Sequence, residues 1–209
     1  MNPESSTQKS EEVNDSPTNP TNPSNEQSKV KGLIKEIVIF AIIALGIVLP
    51  FRVYIAEPYL VDGRSMDPTF ETGDYLIVDK ISYRSEAPKR NTVVVFKYPN
   101  SPDKSFIKRI IGLPGETVIM ENNKLTIINS ENPNGFEIDQ SYLSEENKTS
   151  ADFSKTLAYD EYFVMGDNRK ESFDSRSWGP LKKEFILGKP VVRLWPVTKI
   201  DLLPGQDNK

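Results

Sequence analysis

The run Ser105-Phe106-Ile107-Lys108-Arg109-Ile110-Ile111 predicts a β-strand, because β-branched and apolar residues dominate it. Alternation along a strand puts Phe106 and Lys108 on one face. Ile107 and Arg109 then lie on the other face. One of the two adjacent cations, Lys108 or Arg109, therefore points inward if either face is buried. An exposed edge strand that carries lysine as a guard against aggregation is the alternative interpretation.

Six further runs of the same kind surround this strand. They are Tyr75–Val78, Thr92–Tyr98, Thr117–Met120, Leu125–Ile128, Tyr162–Met165 and Val191–Leu194. Turn signals such as Leu113-Pro114-Gly115 and Glu121-Asn122-Asn123 separate them. Residues 129–160 are polar and poor in pattern, so we expect a hairpin tip and a surface loop there. The pattern predicts a mainly β fold built on an antiparallel β-sheet.

Composition narrows the possible functions. The chain has 209 residues, a formal net charge of −4, no histidine and no cysteine. The acidic balance argues against a nucleic-acid partner. Without cysteine there are no disulfides, no thiolate catalysis and no cysteine-based zinc site, and without histidine the commonest metal ligand is missing. Only a metal site built entirely from oxygen ligands would remain possible, and we expect no cofactor and no metal.

The N-terminal part changes composition abruptly. From Asn2 to Ser28 the only apolar side chain, prolines aside, is Val13, so residues 1–30 are predicted to be a disordered cytoplasmic tail. Ile37 to Phe51 then runs without a single charge. This contrast divides the chain into a polar tail and an apolar segment.

We predict one transmembrane anchor helix over residues 31–56. Leu33 to Ile55 would rise about 34 Å as a helix, which matches a hydrocarbon core of about 30 Å. A buried core helix would usually keep a polar stripe, and a cleavable signal would start earlier and end in a small-x-small site. Lysines before the run predict a cytoplasmic N-terminus. The exported β-rich domain would then cover residues 57–203, with 204–209 as a frayed tail.

Ser65 lies in Ser65-Met66-Asp67-Pro68-Thr69, where a tight turn could present its hydroxyl because Gly63 frees the backbone and Pro68 limits any regular element. A serine nucleophile needs a base, and without imidazole the remaining candidate near neutral pH is an uncharged lysine. A free lysine is neutral in only about one molecule in a thousand at pH 7.5. Burial of Lys108 is therefore a requirement of this chemistry.

A third segment, Gly166 to Arg176, concentrates polar side chains directly after a predicted strand. Ser172, Asp174 and Arg176 alternate, so they could share one side of an extended segment. An Asp–Arg pair that holds a serine in place is the functional interpretation, and a solvated surface loop is the alternative.

Together these segments resemble the sequence boxes of the type I signal peptidase (leader peptidase) family. Members are membrane-bound serine proteases that use a serine/lysine dyad to remove signal peptides from exported preproteins. The resemblance runs in order through the anchor, the Ser65 segment, Gly73–Lys80, Lys108–Gly115 and Gly166–Gly179, and spans roughly residues 35 to 196. Several ordered boxes are more specific than any one alone.

The resemblance implies roles for particular residues. Ser65 would be the nucleophile, Lys108 the general base, and Ser172 a hydrogen-bond partner of the lysine amine. Asp174 with Arg176 would keep the shape of the site. Residues expected to line the small, apolar substrate pockets are Met66, Phe106 and Ile107, with Val61 and Phe70 as further contributors.

Many relatives carry a hydroxyl residue two positions before the nucleophile, where it helps to stabilise the oxyanion. This chain has Gly63 there. The oxyanion would then be held mainly by the backbone N–H of Ser65.

The resemblance also implies partners and a location. We expect preproteins that carry signal peptides and the lipid bilayer as partners, and a single-pass protein of the cytoplasmic (inner) membrane with its catalytic domain on the exported side. A serine/lysine self-cleaving repressor of related β architecture would need a DNA-binding module, and a penicillin-type Ser-x-x-Lys enzyme would need lysine where Pro68 stands. A membrane-anchored binding module without enzymatic activity remains the alternative from a different class.

Overall fold

The computed structural model describes residues 23–48, 55–144, 147 and 152–205. The chain forms two compact units, residues 1–46 and residues 47–209. Helix α1, Pro23–Ile43, lies in the first unit, and a π-helical turn, Ala44–Val48, follows it along the chain.

The first eight residues of α1 fall in the stretch that we predicted to be disordered. The helix begins at Pro23. A proline at the first helical position loses no hydrogen bond, and Glu26 and Gln27 are good helix formers. The structure thus has helix at residues 23–30, and residues 1–22 of the predicted tail lie outside the described residues.

Among the residues that the structure describes, no helix has both the length and the apolar character needed to cross a bilayer. The predicted anchor over residues 31–56 includes residues 49–54, which lie outside the described residues. Its last residue, Ala56, begins a β-strand.

The second unit is built from antiparallel strands. In chain order they are β1 Ala56–Leu60, β2 Tyr75–Asp79, β3 Val93–Tyr98, β4 Ser101–Gly112, β5 Thr117–Glu121, β6 Lys124–Ile128, β7 Phe136–Glu137, β8 Phe153–Thr156, β9 Glu161–Met165, β10 Leu181–Lys182, β11 Ile186–Trp195 and β12 Asp201–Leu202. Short helical turns complete it: α2 Ser82–Ser85, α3 Ser175–Trp178, and 3-10 turns at Lys183–Phe185 and Val197–Lys199.

The strands form two sheets. The larger has the order β1-β2-β11-β3-β4-β9-β10 with β12 paired to β11, and the smaller has the order β7-β6-β5-β8. Every pairing is antiparallel. The prediction of a mainly β, antiparallel fold is confirmed.

Strand β3 is the centre of the larger sheet. Its residues Val93 to Phe96 are all buried, so both of its faces carry apolar side chains. Val94 and Phe96 pack with Ile110 and other residues on one side, and Val93 packs with Phe70 and others on the opposite side. Each such side chain contributes about 1.5–3 kcal/mol on burial. These two clusters fix β4, the neighbour of β3, and with it Lys108.

Residues 129–160 differ from the expectation of a hairpin tip and loop. β7 and β8 lie in this stretch and add a strand to each side of the β5–β6 hairpin. They are only two and four residues long. Phe153 of β8 stacks on Phe163 at 5.2 Å between ring centroids, so one aromatic side chain attaches this polar strand to the core.

The C-terminal end is packed where we expected it to fray. Pro204 is buried, and the carbonyl oxygen of Gly205 accepts a hydrogen bond of 2.7 Å from Arg109. A Cβ at position 205 would lie 2.8 Å from the ring of Phe70, so only glycine fits there without displacing the core. Residues 206–209 lie outside the described residues.

Candidate active site

Ser65 lies in the loop between β1 and β2. The base of the loop is closed by Val61, whose N–H donates to Asp74 O at 2.9 Å and whose carbonyl accepts from Gly73 N at 2.9 Å. Gly63 has a φ of 106°, a left-handed conformation that favours glycine. The loop is therefore held at both ends by backbone hydrogen bonds.

Lys108 reaches Ser65 from strand β4. Its Nζ lies 2.6 Å from Ser65 Oγ and 2.9 Å from the carbonyl oxygen of Ile107. The ring of Phe106, on the same face of the strand, lies 5.4 Å from Nζ. Only 4% of Lys108 is exposed. The two residues singled out from the sequence are thus in hydrogen-bond contact, and the amine is shielded from water.

Burial lowers the pKa of Lys108 from 10.5 to about 8, because desolvation penalises the charged amine. The carboxylates of Asp174 and Asp167 oppose this shift and raise the pKa. With a pKa of about 8, about a quarter of the amines are neutral at pH 7.5, against about one in a thousand for a free lysine. The site therefore supplies a usable base.

Arg109 points away from Lys108 into a buried ion pair. Its Nε and Nη2 donate to the two carboxylate oxygens of Asp167 at 2.9 and 2.7 Å. One of those oxygens also accepts the hydroxyl of Thr69 at 2.6 Å. Arg109 thus connects β4 to the Ser65 loop through Asp167, and it is not a cause of the lowered Lys108 pKa.

Asp174 and Arg176 shape the segment that follows β9. Asp174 is fully buried. Arg176 donates to its two carboxylate oxygens, from Nε at 2.8 Å and from Nη2 at 2.7 Å. The Gly166 N–H donates to the same carboxylate at 3.0 Å, so this one side chain fixes both ends of the segment. The segment is not extended as we expected, because Asp174 caps the helical turn α3.

Gly166 is a point of close contact between this segment and the Ser65 loop. A Cβ there would lie 2.3 Å from Ser65 O and 2.3 Å from Ser172 Oγ. The N–H of Asn168 donates to the same Ser65 carbonyl at 3.0 Å. Ser65 is thus held by the backbone of the neighbouring segment.

Ser172 does not make the expected bond to the lysine amine. Its Oγ is buried and has no hydrogen-bond partner in the described structure. The amine of Lys108 instead donates to Ser65 Oγ and Ile107 O. The expectation is corrected on this point, although contact with Gly166 keeps Ser172 beside the Ser65 loop.

A cavity of about 300 Å³ opens beside Ser65 and Lys108. Apolar residues that line it include Val61, Leu76, Val95, Phe106, Ile107 and Phe173. Val61, Phe106 and Ile107 were predicted, whereas Leu76, Val95 and Phe173 were missed. Leu76 and Val95 belong to strand runs in which alternation marks an inward face, but the sequence does not say which inward positions border a cavity.

Met66 and Phe70, two predicted pocket residues, do not line the cavity. Met66 is 1% exposed and Phe70 is fully buried, and both pack in the cluster behind the loop. Their apolar side chains anchor the loop to the sheet. The prediction that they contact substrate is therefore corrected.

The backbone N–H of Ser65 donates to no acceptor among the described residues. No atom lies within 4 Å of a Cβ built on Gly63, so the space around that position of the loop is open. A carbonyl oxygen that develops negative charge near Ser65 can accept from this donor.

The profile of the family described as signal peptidase, peptidase S26, matches residues 34–195. The chain belongs to the signal peptidase S26 family. A signal peptidase I from Leptolyngbya laminosa is 38% identical over 174 residues, which cover 80% of each chain. Signal peptidase I P from Bacillus subtilis subsp. natto is 38% identical over 178 residues, or 79% of this chain and 89% of the relative.

A crystal structure of a signal peptidase I from Enterococcus faecalis V583 matches with a TM-score of 0.41 and 30% identity, covering 50% of this chain and 97% of its own. Membership of the signal peptidase family makes the chain a serine endopeptidase that removes signal peptides. The family and the activity predicted from the sequence are confirmed.

Asp167 is the functional residue that sequence reasoning overlooked. It stood in the polar segment without a role of its own, yet it joins Arg109 to Thr69. The available signal was a carboxylate placed directly after an apolar strand. Arg109 pairs in register with Met165, two residues before Asp167, so a correct pairing of β4 with β9 would have revealed the contact.

Proposed function

We propose that Ser65 is the nucleophile and Lys108 the general base with which this signal peptidase cleaves its substrates. The observation that carries the proposal is the 2.6 Å separation of Lys108 Nζ from Ser65 Oγ in a buried environment. A serine hydroxyl becomes a nucleophile only if a neighbouring base takes its proton. The lowered pKa of Lys108, about 8, supports this role.

Neutral Lys108 takes the hydroxyl proton while Ser65 Oγ bonds to the scissile carbonyl carbon. The carbonyl oxygen gains negative charge and accepts from the Ser65 N–H. The Lys108 ammonium then gives its proton to the departing amine as the peptide bond breaks. In the second half, neutral Lys108 takes a proton from water, whose oxygen bonds to the acyl carbon. The bond from that carbon to Ser65 Oγ then breaks, and the Lys108 ammonium returns the proton to Oγ.

Two buried ion pairs support this geometry. Asp174 with Arg176 holds the segment that carries Ser172, and Arg109 with Asp167 holds the Ser65 loop through Thr69. Ser172 packs beside Gly166 and therefore lies next to the Ser65 loop. We assign these residues to positioning and not to bond making.

Small apolar side chains of the signal peptide would occupy the cavity beside Ser65. The cavity has a volume of about 300 Å³ and several apolar walls, so small apolar residues next to the cleaved bond fit it best. Val61, Phe106 and Ile107 are the predicted wall residues that border it. The main chain of the substrate would be bound as an added strand.

The membrane anchor and its orientation belong to this proposal. The uncharged run Ile37–Phe51 and the lysines before it support a single span with a cytoplasmic N-terminus. The chain has no native cysteine, so a single introduced cysteine is its only reactive thiol and can be used to test the orientation directly. We expect Ser101→Cys, but not Ser28→Cys, to react with a membrane-impermeant maleimide in intact cells. The reverse labelling pattern would reject the orientation.

The test of the dyad is cleavage of a preprotein by the detergent-solubilised enzyme, with the new N-terminus mapped by mass spectrometry. Ser65→Ala and Lys108→Ala are each expected to abolish cleavage while the protein still folds. Exposed Lys104→Ala is the matched control and keeps activity. Cleavage retained in Lys108→Ala would remove this lysine from the mechanism.

A further inference from the structure

Residues 138–144, which we call the strap, connect the smaller sheet with the segment that follows β9. Ile138 and Leu143 are buried, so the strap is packed down and not a free surface loop. The N–H of Ile138 donates to Leu125 O at 2.7 Å and that of Leu143 donates to Gln140 O at 3.0 Å. The strap therefore has a defined conformation supported by the smaller sheet.

Arg169, in the segment after β9, is the residue that the strap contacts. It is only 2% exposed. Among the described residues its guanidinium has only neutral acceptors: Gly166 O at 3.0 Å, Gln140 Oε1 at 2.5 Å and Tyr142 OH at 2.9 Å. Burial lowers the pKa of Arg169, although the carboxylates of Asp167 and Asp174 oppose this shift.

A buried cation is tolerated only if its N–H groups are accepted by other atoms. Two of the three acceptors of Arg169 come from the strap, and the third is the carbonyl of Gly166, which packs against Ser65. The position of Gly166 relative to Ser65 therefore depends on the hydrogen-bond acceptors that the strap supplies to Arg169.

Gln140 and Tyr142, the two strap residues that contact Arg169, each have a second contact. The amide nitrogen of Gln140 donates to Asn123 O at 3.2 Å, in the β5–β6 turn, so Gln140 links the smaller sheet to Arg169. The ring of Tyr142 lies 4.5 Å from the Arg109 guanidinium, the neighbour of Lys108 in β4. Tyr142 thus contacts both Arg109, next to Lys108 in β4, and Arg169, in the segment that packs against Ser65.

We propose that Tyr142 and Gln140 are positioning residues for the Ser65–Lys108 pair and act through Arg169 on the segment that packs against Ser65. The smaller sheet then supports catalysis by presenting the strap. This inference rests on the proposed roles of Ser65 and Lys108. It adds to them a requirement located outside the loop and strand that carry the dyad.

The test compares Tyr142→Phe with Tyr159→Phe in the full chain. Tyr142→Phe keeps the ring over Arg109 and removes only the hydroxyl that Arg169 needs, whereas Tyr159 is 94% exposed and serves as the matched control. We expect Tyr142→Phe to lower kcat about tenfold with KM within about twofold, because misplacement of reacting groups affects the chemical step. Tyr159→Phe should leave both unchanged.

Gln140→Leu is the second variant, and it should lower kcat in the same way. Rates are measured well below the melting temperature of each variant, so that loss of folded protein does not contribute. Unchanged kcat in both strap variants would overturn the proposal, as would a fall in kcat that follows only the folded fraction. In either case, loss of cleavage in Ser65→Ala would still support the proposed Ser65–Lys108 dyad. Cleavage retained in Ser65→Ala would reject the dyad itself.

Discussion

Gly166 packs so closely on Ser65 that a Cβ at position 166 would lie 2.3 Å from the Ser65 carbonyl oxygen. The contact joins two loops that are about a hundred residues apart in the chain. It shows that the nucleophile is positioned by backbone packing as well as by side-chain bonds. Its sensitivity to a single methyl group provides the first prediction.

Gly166→Ala is expected to lower kcat by about a hundredfold, because a misplacement of about 1 Å at a reacting group can cost that much. The measurement is kcat on a preprotein substrate, with circular dichroism to verify folding. Gly32→Ala is the matched control, since nothing lies within 4 Å of its Cβ position. Wild-type kcat in Gly166→Ala would show that the contact is not needed.

The second prediction concerns the pH dependence of catalysis. Because burial lowers the pKa of Lys108 to about 8, kcat/KM should rise with pH and level off above that value. Below about pH 7 it should fall about tenfold per pH unit, since each unit reduces the neutral amine tenfold. A profile that is flat between about pH 6 and 9 would contradict a lysine base.

The third prediction concerns stability. The folded-state pKa of Lys108, about 8, lies below its unfolded value of 10.5, so the protein gains stability as pH rises from the first value to the second. The gain amounts to roughly 3 kcal/mol. Lys108→Met should remove this dependence and be more stable than the wild type below about pH 8.

Urea unfolding at several pH values checks this expectation, with Lys104→Met as the control because Lys104 is exposed. The difference in unfolding free energy between wild type and Lys108→Met should narrow as pH rises. A constant difference over the whole range would mean that Lys108 is not desolvated in the folded state.

The fourth prediction concerns the buried ion pair. Asp167→Asn removes the carboxylate that pairs with the buried Arg109 guanidinium, which costs about 3–5 kcal/mol of unfolding free energy. Glu71→Gln breaks the exposed pair with Lys199 and should cost less than about 1 kcal/mol. Chemical denaturation of both variants measures the contrast. Equal losses of unfolding free energy in the two variants would show that burial of the Asp167–Arg109 pair contributes nothing to stability.

Much of the fold was accessible from the sequence. The seven predicted strand runs all appear, since β-branched residues and turn residues act locally. The predicted turn at Asn122-Asn123 is formed with φ values of 51° and 66°, a conformation that asparagine tolerates. β7 and β8 were missed because they are short and polar, and they become strands only by pairing with β5 and β6.

The site was predictable in its chemistry but not in its detail. Without histidine and cysteine, the residue types alone indicated a serine with a lysine base. The direction of each loop side chain was not predictable: Met66 and Phe70 both follow the nucleophile in the same loop yet pack into the core. Local pattern identifies apolar residues, whereas long-range packing decides whether an apolar residue fills a core or lines a cavity.

The sequence by itself determined which residues could react and that the chain would fold into antiparallel sheets, because both follow from residue type and local pattern. Only the tertiary structure decided that Ser65 and Lys108, 43 residues apart, lie in contact and that the amine is buried. The physical reason is that desolvation depends on the atoms that surround a group. Those atoms come from strands and loops distant in the chain.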